Sequence, residues 1–143
     1  YIPDPDLRES IGVDISAARR ALSNNEWKAA TVLAGAALEA LLLWALTTKT
    51  DSEIDSAVDA LVRSKKISSK PSGKKEKWNL TQYILILHEM ALIPETSKTQ
   101  MLLAKEFRNL IHPGRAIRLK LVCDRGTAFT AIAAIEHAIR DLK

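Results

Sequence analysis

Cysteine is nearly absent from this chain, and its scarcity excludes two kinds of structure. Cys123 is the only cysteine among the 143 residues, so an internal disulfide cannot form and no cysteine pair is available for zinc. A reducing, intracellular setting fits this usage. We therefore expect a cytoplasmic protein.

Several common catalytic and targeting patterns are missing as well. The sequence has no glycine-rich phosphate loop and no Ser-His-Asp pattern with a recognisable elbow. His88 and His137 each stand alone on predicted helical surfaces, so we interpret both as structural and expect no metal and no cofactor. No charged segment with a short apolar core opens the chain, so we expect no signal peptide.

One apolar run, from Ala29 to Leu46, is nearly long enough to span a membrane. Glu39 lies near its middle, and much of its apolar character comes only from alanine. The pattern therefore predicts a buried helix at the centre of a globular domain, and we expect no membrane partner.

Composition and charge indicate one globular domain with a basic surface. The chain is 47% hydrophobic and 27% charged, which is typical of a soluble globular protein and supports a single domain over residues 1–143. It opens on tyrosine, so we expect a piece of a longer protein. Lys and Arg outnumber Asp and Glu by 21 to 17, which permits contact with nucleic acid.

Helical periodicity runs through most of the sequence. Start signals appear at Asp4-Pro5, at a capping box from Thr50 to Glu53 and at another from Asn79 to Gln82. The fold class is therefore all-α, an antiparallel bundle of about five to six helices. The predicted helices cover about residues 4–23, 26–47, 50–62, 79–93, 96–112 and 124–142.

Two segments do not follow the helical pattern. Residues 115–122 alternate partly with a period of two, which predicts an extended connector. Residues 68–77 are rich in lysine, serine and glycine, including Lys74 and Lys75, and predict a mobile, solvated loop.

The densest group of reactive side chains lies at the end of the fifth predicted helix. Arg108 and His112 are four residues apart, which predicts that they share one side of the helix, with Asn109 beside them. Pro113 is expected to end this helix, and Gly114 to give the chain freedom to leave.

The helix 33–43, followed after a basic loop by Phe107-Arg108-Asn109-Leu110-Ile111-His112-Pro113-Gly114-Arg115, resembles the HEPN superfamily. That family consists of small helical bundles in which four to six residues stand between an Arg, often followed by Asn, Asp or His, and a His. Here only three residues separate Arg108 from His112. The resemblance implies a homodimer in which two protomers bring their motifs together.

The resemblance also implies roles for these residues. As in metal-independent endoribonucleases of the family, His112 would take a proton from a ribose 2′-hydroxyl, and Arg108 would stabilise charge on the phosphorane. Asn109 would orient the imidazole or a phosphate. The candidate RNA-binding residues are Arg115, Arg118, Lys74 and Lys75.

In a different interpretation, the same residues have only structural roles. Arg108 then forms an ion pair, His112 caps its own helix, and Pro113-Gly114 is only a stop signal. Two functions follow from these interpretations. One is an RNA-associated domain or ribonuclease of a defence or toxin-antitoxin system, with an antitoxin or other protein as partner. The alternative is a catalytically inactive module for dimerisation and protein interaction within a larger protein.

Glu39 lies in the most apolar part of the sequence and requires a cation, because an unpaired carboxylate there would be costly. Arg108 is the natural partner, since its planar guanidinium suits a carboxylate. We therefore predict an ion pair between Glu39 and Arg108 inside the bundle.

Overall fold

The computed structural model describes residue 2 and residues 4–142, and in that part of the chain every regular element is helical. There are seven α-helices and no strand, which confirms the all-α prediction but gives one helix more than expected. The helices are α1 (Pro5–Ser23), α2 (Trp27–Thr47), α3 (Asp51–Arg63), α4 (Leu80–Glu89), α5 (Glu95–Arg108), α6 (Pro113–Leu119) and α7 (Arg125–Asp141).

The predicted helix starts are confirmed by their caps. The Asp4 carboxylate accepts hydrogen bonds from the amides of Asp6 and Leu7, at 3.0 and 3.1 Å, and Pro5 is the first residue of α1. Thr50 with Glu53 and Asn79 with Gln82 form the two capping boxes at the starts of α3 and α4. These local signals fix where three helices begin.

Helix α2 is the centre of the bundle, as the apolar run predicts. Ten of its residues are buried, more than in any other helix, and α1, α4, α5 and α7 all pack against it. By length and composition alone it is apolar enough to cross a membrane, with a mean hydropathy of 1.9. Much of that apolar surface is instead covered by the other helices, since 56% of the window is buried.

The end of the fifth helix differs from the prediction. Helix α5 stops at Arg108, a single 3-10 turn follows at Asn109–Ile111, and His112 is extended with φ −80° and ψ 114°. The residue before a proline is excluded from the helical region, which accounts for His112. The prediction that the helix continues to His112 was therefore wrong.

Pro113 starts a helix rather than only ending one. It is the first residue of α6, where its missing N–H costs nothing. Helix α6 takes up residues 115–119 of the segment 115–122 that was predicted to be an extended connector. It ends at Leu119, and the next residue, Lys120, caps it with a left-handed φ of 54°. Gly114 lies in the first turn of α6 without a positive φ, so the freedom expected of it is not used.

The basic segment of residues 68–77 has no α-helix, but it is attached to the bundle at its C-terminal end. It contains one 3-10 turn, Lys75–Lys77. The buried Tyr83 hydroxyl donates to the Lys75 carbonyl at 2.7 Å, and the Trp78 indole donates to the Gly73 carbonyl at 3.3 Å. The mobility of this segment stays a prediction.

Candidate functional site

Arg108 leaves the end of α5 and crosses the face of α2 at Gly35. A Cβ atom on Gly35 would lie 2.6 Å from Cδ and 2.9 Å from Cγ of Arg108, closer than real side chains approach. The stem of Arg108 therefore occupies the space that any other residue at position 35 would fill. One turn further along α2, on the same face, is Glu39.

The predicted ion pair between Glu39 and Arg108 is confirmed. Nη1 of Arg108 donates to Oε2 of Glu39 at 2.7 Å. The two side chains are 33% and 32% exposed, so the pair lies at the edge of the bundle rather than inside it. Its exposed side faces a cleft, and part of the guanidinium therefore remains available to a ligand.

This cleft is polar and has a volume of about 610 Å³. Glu39, Arg108, Lys105 and Asn109 line one side. The remaining lining comes from the segment after α3 and the start of α4: Lys66, Ile67, Ser68, Ser69, Asn79, Leu80, Thr81, Gln82 and Leu85. Three cations and several hydroxyl and amide groups thus converge on one concave surface, which suits an anionic, hydrogen-bonding ligand.

Each cation of the cleft has a carboxylate neighbour. Lys105 is 2.8 Å from Glu106, and Lys66 is 3.3 Å from Glu89. The Lys105 ammonium and, less strongly, the Arg115 guanidinium hold the pKa of Glu106 below its ordinary value, against the opposing effect of burial. A phosphate entering the cleft would compete with these carboxylates, so binding would weaken as salt is added.

The His112 amide donates to the Asn109 carbonyl at 3.3 Å, but the His112 side chain is not part of the cleft that Arg108 and Asn109 line. His112 is exposed, and its side chain makes no hydrogen bond or ion pair within the described ranges. Its backbone carbonyl accepts from the amides of Arg115 and Ala116 at the start of α6, at 3.0 and 3.1 Å. The structure therefore brings together two of the three predicted catalytic residues and leaves the imidazole open to solvent.

The four predicted binding residues are dispersed. Arg115 pairs with Glu106, whereas Arg118 is exposed on α6 without an ion pair among the residues described here. Lys75 is 2.7 Å from Asp51 of α3, and Lys74 is exposed. None of them lines the cleft, so any contribution to binding would come from the surrounding surface.

Sequence reasoning missed Gly35, Lys66 and Lys105 as parts of this site. An isolated glycine inside a helical pattern commonly marks a close approach, and Gly35 stands one turn before Glu39. That signal was present in the sequence. The two lysines carry no comparable signal, because only the packing of α5 against the segment after α3 brings them to one cleft.

A second cavity of comparable size does not compete as a functional site. It measures about 670 Å³ and lies at the start of α2, lined by Trp27, Val32 and Leu33 among others. Its surface is mostly apolar, and the charged residues in its lining are one glutamate and one lysine, Glu26 and Lys28. In the described part of the chain no group of three or more His, Cys, Asp or Glu side chains is arranged to hold a metal ion.

Comparison of the chain with protein-family models, curated proteins and solved structures finds no match. The resemblance to HEPN domains accordingly depends on the motif and the helix order alone.

Proposed function

We propose that the chain is a HEPN-like domain that binds RNA in the Arg108 cleft and acts as a metal-independent endoribonuclease. The setting would be a bacterial defence or toxin-antitoxin system in the cytoplasm. The observation that carries the proposal is the cleft itself, in which Glu39 orients Arg108 beside Asn109, Lys66 and Lys105. A fixed guanidinium among lysines and hydroxyl groups is well suited to a phosphodiester.

Arg108 would bind a non-bridging phosphate oxygen and stabilise the charge that develops during cleavage. Its bond to Glu39 fixes the side chain before the substrate arrives, which reduces the entropy lost on binding. His112 would act as the general base that removes the 2′-hydroxyl proton. Asn109 would orient the imidazole or a phosphate, since its amide both donates and accepts.

A homodimer follows from the same proposal. Within one chain His112 is exposed and does not line the cleft, so one protomer does not assemble all three groups around a single substrate. A second copy that brings its own motif alongside would add an imidazole and a guanidinium to the shared site. The exposure of His112 supports this arrangement.

The second candidate is a catalytically inactive module for dimerisation and protein interaction. The absence of His112 from the lining of the cleft favours it, because a base that does not reach the substrate cannot take its proton. In that case the contact of Arg108 with Glu39 and Gly35 is purely structural and holds α5 against α2.

The test measures cleavage and binding of a labelled single-stranded RNA in EDTA. We expect the wild type to cleave it, and both Arg108→Ala and His112→Ala to lose about a hundredfold or more of that activity. Lys66→Ala should weaken RNA binding about threefold to tenfold without affecting stability. Arg20→Ala, an exposed arginine on α1, is the matched control and should change neither.

The outcomes separate the two candidates. RNA binding without cleavage by any variant would assign the protein to the inactive class with an RNA ligand. Cleavage that persists in His112→Ala, or that EDTA abolishes, would contradict the proposed mechanism. Absence of both binding and cleavage would favour the protein-interaction module.

A further inference from the structure

Helix α6 and the residues after it form an exposed apolar surface, which we define as Ile117, Leu119, Leu121 and Val122. Their exposed fractions are 77%, 46%, 48% and 70%. No residue of α6 is buried, and in the described part of the chain its main packing is against the 3-10 turn Asn109–Ile111. Four large aliphatic side chains on one short segment exceed what scattered surface residues account for.

A groove lies directly beside this α6 surface. It has a volume of about 540 Å³ and runs between Phe107 and Leu110 on one side and Leu121 and Val122 on the other, with Thr130 of α7 at its edge. The groove is concave, and its lining combines aliphatic and aromatic side chains with the polar side chains of Lys120, Asp124, Thr127 and Thr130. It is shaped to receive side chains from another polypeptide segment.

The rim of the α6 surface is basic. Arg118 and Lys120 are exposed, and neither forms an ion pair with any residue the structure describes. Arg125 lies over the Phe129 ring at 5.3 Å from its centre. The one acidic residue on this rim, Asp124, accepts the amide of Thr127 at 2.9 Å as the cap of α7.

We propose that the α6 surface docks an amphipathic, acidic helical segment of another protein. Aliphatic side chains of that segment would occupy the groove beside Phe107 and Leu121. Its aspartates and glutamates would face Arg118, Lys120 and Arg125, none of which forms an ion pair with a residue that the structure describes. Apolar contact would supply affinity, and charge complementarity would select the partner and its orientation.

Three other occupants fit the surface less well. A second copy of the chain would bring a second basic rim to the interface, and like charges at an interface are unfavourable. A bilayer is a broad, flat surface and does not fill a concave groove. RNA offers no aliphatic side chains for Ile117 and Val122. The proposal extends beyond the proposed ribonuclease function and does not depend on it.

The test uses the full chain and a matched pair of synthetic helical peptides, with leucine on the apolar stripe and either glutamate or lysine elsewhere. Binding is followed by fluorescence anisotropy. We expect the glutamate peptide to bind, the lysine peptide not to bind, and added salt to weaken binding. Ile117→Ser and Arg118→Glu should each reduce affinity about tenfold or more, whereas RNA binding in the cleft should be unchanged by Ile117→Ser.

The control variants are Val13→Ser, at a valine 57% exposed on α1, and Arg20→Glu on the same helix. Both should leave peptide affinity unchanged, and circular dichroism should show intact helix in all four variants. Equal binding of the two peptides, or no binding of either, would overturn the proposal. So would a dimer in sedimentation that Ile117→Ser dissociates, or anionic vesicles that bind through Ile117 in place of the peptide. The two peptide results would not change the outcome of the RNA test. A dimer that Ile117→Ser dissociates would be distinguished there, because cleavage by the proposed shared site would then fall in the same variant.

Discussion

At the scale of single residues, the path of Arg108 across α2 depends on Gly35. The Arg108 stem passes so close to the α2 backbone that a Cβ at position 35 would overlap its Cδ and Cγ. Glycine in a helix interior is unfavourable by about 1 kcal/mol relative to alanine. Glycine at position 35 therefore lowers the stability of helix α2, but it leaves room for the Arg108 stem to reach Glu39 and line the cleft.

We predict that the effect of Gly35→Ala on stability changes sign with the residue at position 108. In the wild type the new methyl group should displace Arg108 from Glu39 and destabilise the protein by about 1–3 kcal/mol. In an Arg108→Gly background the three atoms that lie nearest to a Cβ at position 35, which are Cβ, Cγ and Cδ of Arg108, are all absent. The same change should then stabilise by about 0.5–1 kcal/mol. The free energy of unfolding from urea titration measures both.

Gly12→Ala is the matched control, because nothing lies within 4 Å of a Cβ at that position of α1. It should stabilise the protein in both backgrounds. If Gly35→Ala were equally favourable in the wild type, the close approach of Arg108 would not constrain position 35.

The Glu39–Arg108 pair could be predicted from the sequence because a carboxylate in an apolar helix demands a cation, and segment five offered one suitable arginine. The solvent exposure of the pair could not be predicted from the sequence. It depends on where the segment after α3 crosses, and periodicity carries no information about the packing of an irregular segment.

At the scale of elements, helix starts were predictable and the residues around Pro113 were not. Caps are local, and Asp4, Thr50 and Asn79 bond to amides within three residues of themselves. Proline carries two local signals that point in different directions, because it both ends the preceding helix and begins the next. The sequence was interpreted only in the first sense, so α6 was missed.

The start of α5 and the end of α7 are joined by a cluster of polar groups. The fully buried Ser97 hydroxyl donates to Asp141 Oδ2 at 2.5 Å and accepts from Arg140 at 3.0 Å. The pKa of Asp141 is held below its ordinary value, chiefly by the hydrogen bond from Arg140. Burial opposes this effect, whereas the hydrogen bond from Ser97 and the charges of Arg140 and His137 add to it. The Asp141 side chain is only 10% exposed.

We predict that Asp141→Asn destabilises the protein at neutral pH and much less in acid. Because the folded-state pKa is lowered, the carboxylate stabilises the fold above its unfolded pKa, and this contribution disappears as the pH falls through the folded value. The loss at pH 7 should be about 1–3 kcal/mol and should shrink below about pH 4. Urea titrations of both proteins across this range measure the difference.

Comparing the two proteins at each pH is necessary because Asp51, Glu53, Glu95 and Glu106 also have lowered pKa values, and both proteins lose those contributions together. Ser97→Ala should reproduce part of the loss at neutral pH. A destabilisation by Asp141→Asn that stays constant from pH 7 to pH 3 would show that the charge of Asp141 does not stabilise the fold.

At the scale of the whole molecule, burial is distributed unevenly along the chain. Helix α2 has ten buried residues, whereas α6 has none. Helix α6 is also only seven residues long. The residue that caps it, Lys120, is left-handed and adds conformational strain of roughly 1 kcal/mol. Isolated helices of this length are marginal in water. The two helices should therefore belong to different cooperative units.

We predict that α6 opens without the rest of the bundle unfolding. Hydrogen exchange should show its amides opening at a free energy of about 0–2 kcal/mol, while amides in the centre of α2 exchange only through global unfolding. Lys120→Gly removes the left-handed strain, so it should slow exchange within α6 by a few-fold. If α6 is an independent unit, the same substitution leaves the exchange of α2 and the urea midpoint unchanged. Slowing of both helices together, or wild-type protection in α6 equal to that of α2, would mean that α6 unfolds with the core. The exposed aliphatic side chains of α6 would then be held on a rigid element rather than on one that opens alone.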